Sequence, residues 1–291
     1  MAQARELRRR IKSVQSTRQI TRTMEMVSTS KLKRAQDRVV GARPYATALA
    51  EVLGELYAPE YAERFPLLRQ PENGVIRRAG VVVITSNRGL CGAFNANLIR
   101  EGRRRVQELE SQGAQVELHL IGRKGVNFFR FAKRAAASTR IDIGDKPTTE
   151  HAAEVVDPLV TAFEAGRLDA VEVVFAKFNS AVSTPATTLR LLPVTPPPRA
   201  ARSSESFFIL KPSAEAILER LLPLYVRNQV YRALVETAAA EHGARRTAMK
   251  NATDSAGDMM DLLRRTYNRA RQAQITQEIA EIVGGAEALR G

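Results

Sequence analysis

Cys91 is the single cysteine of the 291-residue chain. It lies in Ser86-Asn87-Arg88-Gly89-Leu90-Cys91-Gly92-Ala93-Phe94-Asn95, between an apolar run and a helical pattern. Two chemistries belong to such a place. A glycine-bearing turn at a helix start can cradle phosphate, and a thiol there can be activated as a nucleophile. Neither is completed. The segment lacks the glycine spacing of a dinucleotide fingerprint and has no Gly-Lys-Ser/Thr. None of His119, His151 and His242 is near Cys91 in sequence to act as its base, and with one cysteine they give no metal-ligand spacing. The segment reads as a strand-to-helix turn whose glycines permit tight geometry, with Cys91 as a small buried residue. Asp254, Asp258 and Asp261 fall at helical spacing beside Arg264 and Arg265, which is the pattern of surface ion pairs rather than of acid–base catalysis. No catalytic residue, cofactor or metal is expected, and no intramolecular disulfide can form.

The charge points to a partner. The net charge is +14, and residues 1–43 hold twelve basic side chains against Glu6, Glu25 and Asp37. An acidic protein surface, an anionic membrane or nucleic acid would fit that sign. Residues 1–44 contain no aromatic to stack a base and no reader motif, so nucleic acid is the weaker fit and an acidic protein the stronger. Two alternatives stay open: a nucleic-acid-binding coil built on the basic arm, and a small-molecule enzyme using the turn at 86–95, which predicts saturable nucleotide binding. No apolar run approaches the roughly 20 residues that span a bilayer. The basic start runs without a break into a helix pattern, so no cleaved presequence is expected.

The elements that must position these residues divide three ways: residues 1–57 as a helix, 75–210 as an α/β domain, and 211–291 as a second long helix. Positions 7, 14, 21, 28, 35, 42, 49 and 56, with 11, 18, 25, 32, 39, 46 and 53, trace a seven-residue seam that is polar only from Arg18 to Ser28. Across that gap Ile20, Met24 and Val27 are expected to carry the apolar stripe. At the other end Met249, Ala252, Ala256, Met259, Leu263, Thr266, Ala270 and Ala273 form a seam of mostly small residues. Between the ends, Gly80–Thr85, Gln115–Ile121, Ala170–Lys177 and Thr187–Val194 read as strands, with Ser206–Leu210 as a further one. Residues 93–111, 123–134 and 148–166 read as helices, and the Thr195–Arg199 proline run as an exposed loop. The fold class expected is α/β: a mainly parallel sheet with covering helices, inserted between the halves of a long antiparallel coiled coil.

At this point the residues resemble a family. Arg9-Arg10-Ile11-Lys12-Ser13-Val14, Ile20-Thr21-Arg22-Thr23-Met24-Glu25-Met26-Val27 and Ser30-Lys31-Leu32 are similar to the opening of F-type ATP synthase γ subunits. Arg88-Gly89-Leu90-Cys91-Gly92 matches that family's central motif. The closing runs Ala248–Asp254, Tyr267–Gln272, Ile275–Ile279 and Glu281–Ala286 are more specific still. The chain departs from the pattern at Asn87, where Asp is common, and at Ser28-Thr29, where Ala-Ala is common. The cysteine pair of chloroplast members is missing.

The resemblance implies a non-catalytic rotor stalk, one copy per complex. It would stand inside a ring of three α and three β subunits and sit with the ε subunit on a membrane-embedded c ring. By the same resemblance Met24, Lys31 and Lys33 would face acidic segments of β, and Arg271, Gln272, Thr276 and Glu278 would meet loops of α and β. The apolar tip at Ile279, Ile282, Val283 and Leu289 would turn in a hydrophobic sleeve. The implied location is peripheral, on the cytoplasmic side of a bacterial inner membrane.

Overall fold

A computed structural model describes residues 2–58, 60–195 and 213–288. Ser206–Leu210, Pro196–Arg199 and Leu289 lie outside the described residues. Helix α1 spans Ala2–Leu56 with Pro44 inside it, and α6 spans Ala214–Ala288 with Pro223 inside it. Between them come α2 (Tyr61–Arg64), β1 (Arg78–Ile84), α3 (Phe94–Ser111), β2 (Gln115–Ile121) and α4 (Arg123–Phe131). Then follow β3 (Ser138–Arg140), α5 (Thr149–Glu164), β4 (Ala170–Ala176) and β5 (Ala186–Leu192). The architecture is the mixed α/β plan expected from the sequence. The short edge strand β3 is an addition, since three half-exposed residues carry no hydrophobic signal.

Two compact units divide the chain: Met1–Ser28 with Arg246–Gly291, and Thr29–Arg245. In the first, α1 and α6 run antiparallel, with Thr21 beside Thr253 and Arg18 against Gly257. The seam here corrects two expectations. Ile20 and Val27 are exposed, and the buried positions are Thr21 and Ser28. The heptad continues through polar residues because their hydroxyls are paired locally: Thr21 donates to Arg18 O at 3.0 Å, and Thr253 Oγ1 lies 2.7 Å from Thr21 Oγ1. On α6 the covered positions run Met249, Thr253, Ala256, Met260, Leu263, Tyr267, Ala270 and Gln274, with the expected Ala252 and also Gly257 half-buried beside them. The main series alternates steps of four and three, and Met259, Thr266 and Ala273 lie outside it, exposed. Where most candidates are Ala or Thr, one-residue shifts are invisible in composition.

The second unit holds a five-stranded sheet in the order β3-β2-β1-β4-β5, with β5 alone antiparallel. Successive residues of β1 alternate between the two faces. Val82 and Ile84 join α5 and residues 218–234 of α6. Ala79, Val81 and Val83 join α3, α4 and Leu32, Ala35 and Val39 of α1. Both faces are covered, which explains the apolar run Ala79–Ile84 of β1 and the burial of all seven residues of β4.

Candidate functional site

Parallel doubly wound sheets bind ligands outside the carboxyl ends of their strands, where the strand order reverses. Here the reversal lies between β1 and β4, because the chain winds β1-β2-β3 one way and then crosses to β4 on the far side of β1. The turn after β1 forms this edge. Leu90 and Gly92 take left-handed φ values of 62° and 58°, and Asn95 Oδ1 reaches back from α3 to accept from Ser86 N at 3.0 Å. Asn95 Nδ2 donates to Cys91 Sγ at 3.2 Å, and burial pushes the thiol pKa up. A raised pKa disfavours the thiolate, in keeping with a structural cysteine.

The start of α4 is closed as well. Arg123 N donates to Asn87 Oδ1 at 2.9 Å, Lys124 N to Ser86 O at 3.1 Å and Gly125 N to Thr85 Oγ1 at 2.9 Å. These amides would otherwise face a phosphate. Asn87 also donates through Nδ2 to Ile141 O and Ile143 O at 3.0 and 2.9 Å. A carboxylate has no proton to give, so this departure from the family pattern has a structural use.

The crevice between β1 and β4 is filled by α6. Thr237 Oγ1 accepts from Ala176 N at 3.2 Å, and the buried Glu236 accepts from Phe178 N at 3.1 Å and from Arg232 Nε at 2.7 Å. Gly243 lies so close to the β4–β5 hairpin that an added Cβ would sit 3.1 Å from Ala181 O. Arg245 donates to Gly89 O at 3.2 Å and pairs with Glu241 at 2.5 Å. From α1, Lys31 Nζ pairs with Asp145 at 2.5 Å, and Arg38 donates to Asp145 O at 3.0 Å. A cavity of about 620 Å³ remains beside Thr85, Asn87, Arg123, Asp142 and Glu241.

The electrostatics follow from burial. Burial raises the Glu241 pKa, with Arg245 opposing. Burial also works to raise Asp145, but Lys31 and His242 hold it below the usual carboxylate range. His242 is pushed down to about 4, chiefly by burial. Its folded pKa lies below the ordinary value of about 6.5, so the neutral ring contributes stability above that value, lost as pH falls toward 4. The chain is expected to lose about 2 kcal/mol from this group between pH 7 and pH 5. Chemical unfolding at both pH values checks this, with His242→Gln flattening the difference.

The residues named by resemblance fall in separate places. Met24 is half-buried on α1, and Lys33 is exposed and pairs with Asp37 at 2.9 Å. Lys31 is spent on Asp145, as above. Arg271, Gln272, Thr276 and Glu278 are all exposed on α6. Thr276 donates to Gln272 O at 3.0 Å, and Glu278 accepts from Gln274 at 2.8 Å. Every described side chain from Ile275 to Ala286 is exposed, including Ile279, Ile282 and Val283. A bare helix with that many exposed apolar residues is the signature of a surface made to be covered. Sequence reasoning missed Glu236, Thr237 and Gly243, whose partners lie at or beyond the end of β4, and Asp145, whose partners Lys31, Arg38 and His242 stand on α1 and α6.

The sequence matches the ATP synthase family over residues 3–289. The ATP synthase gamma chain of Gemmatimonas aurantiaca is 61% identical over 292 residues, covering 100% of both chains. That of Moorella thermoacetica is 46% identical over 290 residues, again covering 100% of both. Among solved structures, the central stalk and c-ring assembly of Tetrahymena thermophila mitochondrial ATP synthase has a matching chain with TM-score 0.61 and 26% identity. It covers 80% of this chain and 99% of that one. A chain of the Euglena gracilis mitochondrial ATP synthase rotor has TM-score 0.65 at 20% identity, covering 94% and 99%.

Proposed function

The chain belongs to the ATP synthase gamma-chain family, and from that premise we propose that it turns inside a ring of three α and three β subunits without performing chemistry itself. It is a stalk subunit of a rotary ATP synthase, since its relatives are gamma chains and its structural neighbours are stalk and rotor chains. The β subunits would hold the catalytic sites, and the sheet-bearing unit would rest with ε on the c ring. Ion flow would turn the ring, and each β site would be driven in sequence through binding, synthesis and release. No helix among the described residues is long and apolar enough to cross a membrane. By its family the chain would associate peripherally, through the c ring, on the cytoplasmic side of a bacterial inner membrane.

The observation that carries this reading is the exposed end of α6. A helix that buries nothing along Ile275–Ala286 needs a surrounding sleeve, and its mixed surface suits contacts that must form and release in turn. Exposed polar groups are weakly bound to water-screened partners, whereas a continuous apolar interface would hold one orientation. Arg271, Gln272, Thr276 and Glu278 would make the polar contacts with α and β, and Ile279, Ile282 and Val283 would slide. Met24 and Lys33 would face acidic segments of β. Lys31 would join them only by giving up Asp145.

Charge reversal tests the assignment. Arg271→Glu and Glu278→Lys are expected to lower coupled ATP synthesis in inverted membrane vesicles by roughly tenfold each, equivalent to about 1.4 kcal/mol at the coupling step. Assembly of the complex is expected to be retained. Synthesis at the unsubstituted rate would remove these residues from the contact.

A further inference from the structure

We propose that Glu236, Thr237 and Gly243, with Arg245, form the joint that passes torque between the sheet and α6, so that the crevice used elsewhere for ligands serves here as a mount. This rests on the stalk reading above.

The geometry carries the inference. Consecutive helical residues are about 100° apart around the axis. Glu236 and Gly243 therefore point nearly the same way, Thr237 about a quarter turn from them, and Arg245 about half a turn from Glu236. Each meets a different part of the sheet's carboxyl edge. Glu236 takes the Phe178 amide just beyond β4 at 3.1 Å, and Thr237 the Ala176 amide at its end at 3.2 Å. Gly243 abuts Ala181 in the hairpin, and Arg245 holds Gly89 O of the turn after β1 at 3.2 Å. A helix held on one face can roll about its axis. One held on opposing faces by backbone groups of separate strands cannot roll without breaking a contact on some side.

The contacts also suit repeated load. Ala176 and Phe178 sit at and just beyond the end of β4, where amides lack a strand partner, and leaving such buried donors unpaired costs about 1–3 kcal/mol each. Glu236 is itself fixed by Arg232 at 2.7 Å, so the carboxylate cannot swing away freely. The hairpin approaches closely at 243, where an added Cβ would press on Ala181 O at 3.1 Å.

The test uses the assembled synthase, immobilised through its larger subunits, with a gold particle on a cysteine introduced at exposed Gln107. The angular variance of the stalled particle reports the stiffness of the path from sheet to ring. Glu236→Ala with Thr237→Val is expected to raise that variance at least twofold, and Gly243→Val to do so independently. Bulk ATP hydrolysis is expected to stay within about twofold, since the shaft end is untouched. Leu109→Ala, which destabilises α3 packing without touching the joint, is expected to leave the variance unchanged. Unchanged variance in both joint variants, or an equal rise in Leu109→Ala, overturns the joint. An unsubstituted particle that fails to turn with ATP would instead overturn the stalk reading, and the joint with it.

Discussion

A chain carrying Gly122→Ala is expected not to accumulate in folded form. Gly122 closes β2 and starts α4 with φ of 93°, a region that L side chains rarely adopt. An added Cβ would sit 2.1 Å from Thr85 O, a backbone atom that cannot swing aside. Moving it would break Thr85 Oγ1 from Gly125 N at 2.9 Å and from Ile121 O at 2.9 Å. The turn on which Gly89 is presented to Arg245 would shift with it. Strain, clash and lost hydrogen bonds together are expected to cost roughly 4 kcal/mol or more, in the range that unfolds an ordinary domain. Soluble yield and thermal unfolding check this. Gly113→Ala is the control, with φ of 87° and nothing within 4 Å of the added carbon. It carries only the backbone preference, about 1–2 kcal/mol. Equal losses in the two chains would show that contact with Thr85 is unimportant.

The second large effect is expected at Glu172. This carboxylate is 2% exposed in the middle of β4. It accepts from Arg105 Nε at 2.5 Å and Nη2 at 2.7 Å, and from Arg190 Nη2 at 3.2 Å. Burial works to raise its pKa, but Arg105 and Arg190 hold it below the usual carboxylate range. Glu172→Ala leaves Arg105, itself largely buried, with only the more distant Glu108 at 3.2 Å. Breaking a buried pair from one side costs about 3–5 kcal/mol, and at about 2–4 °C per kcal/mol for a unit of this size the melting temperature is expected to fall by roughly 6–20 °C. Glu172→Met with Arg105→Met is expected to lose less than Glu172→Ala, because no largely buried charge loses its partner, and Arg190, which does lose Glu172, still reaches water. A double substitution as damaging as the single one would mean that the network stabilises by something other than charge pairing.

How far these features were legible in the sequence depends on whether their signals are local. Val81–Ile84 announces a doubly covered strand by itself, and the sheet follows from its alternation with helices. The heptads at the two ends are legible in outline, but their register through Thr21, Ser28 and Thr253 is not, because buried hydroxyl residues, paired at Thr21 and Thr253, imitate exposed polar ones. Glu236 and Thr237 look like ordinary helix surface; only the fold brings them to Phe178 and Ala176, about sixty positions away. The run Ile275–Ala286 is apolar enough to suggest burial; the resemblance assigns its cover to other subunits, and the described residues leave it exposed. The turn at 86–95 is legible as a strand-to-helix turn, but the means by which its amides are satisfied, through Asn87 and Asn95, is a tertiary fact.

The central claim is that this chain is the part that turns. It is tested most directly by fixing the assembled synthase to a surface through its larger subunits, attaching a gold particle to the chain, and adding ATP. The account predicts rotation in a single direction, with a pause for each catalytic subunit in the ring. A particle that shows only undirected thermal motion while the same preparation hydrolyses ATP would contradict it.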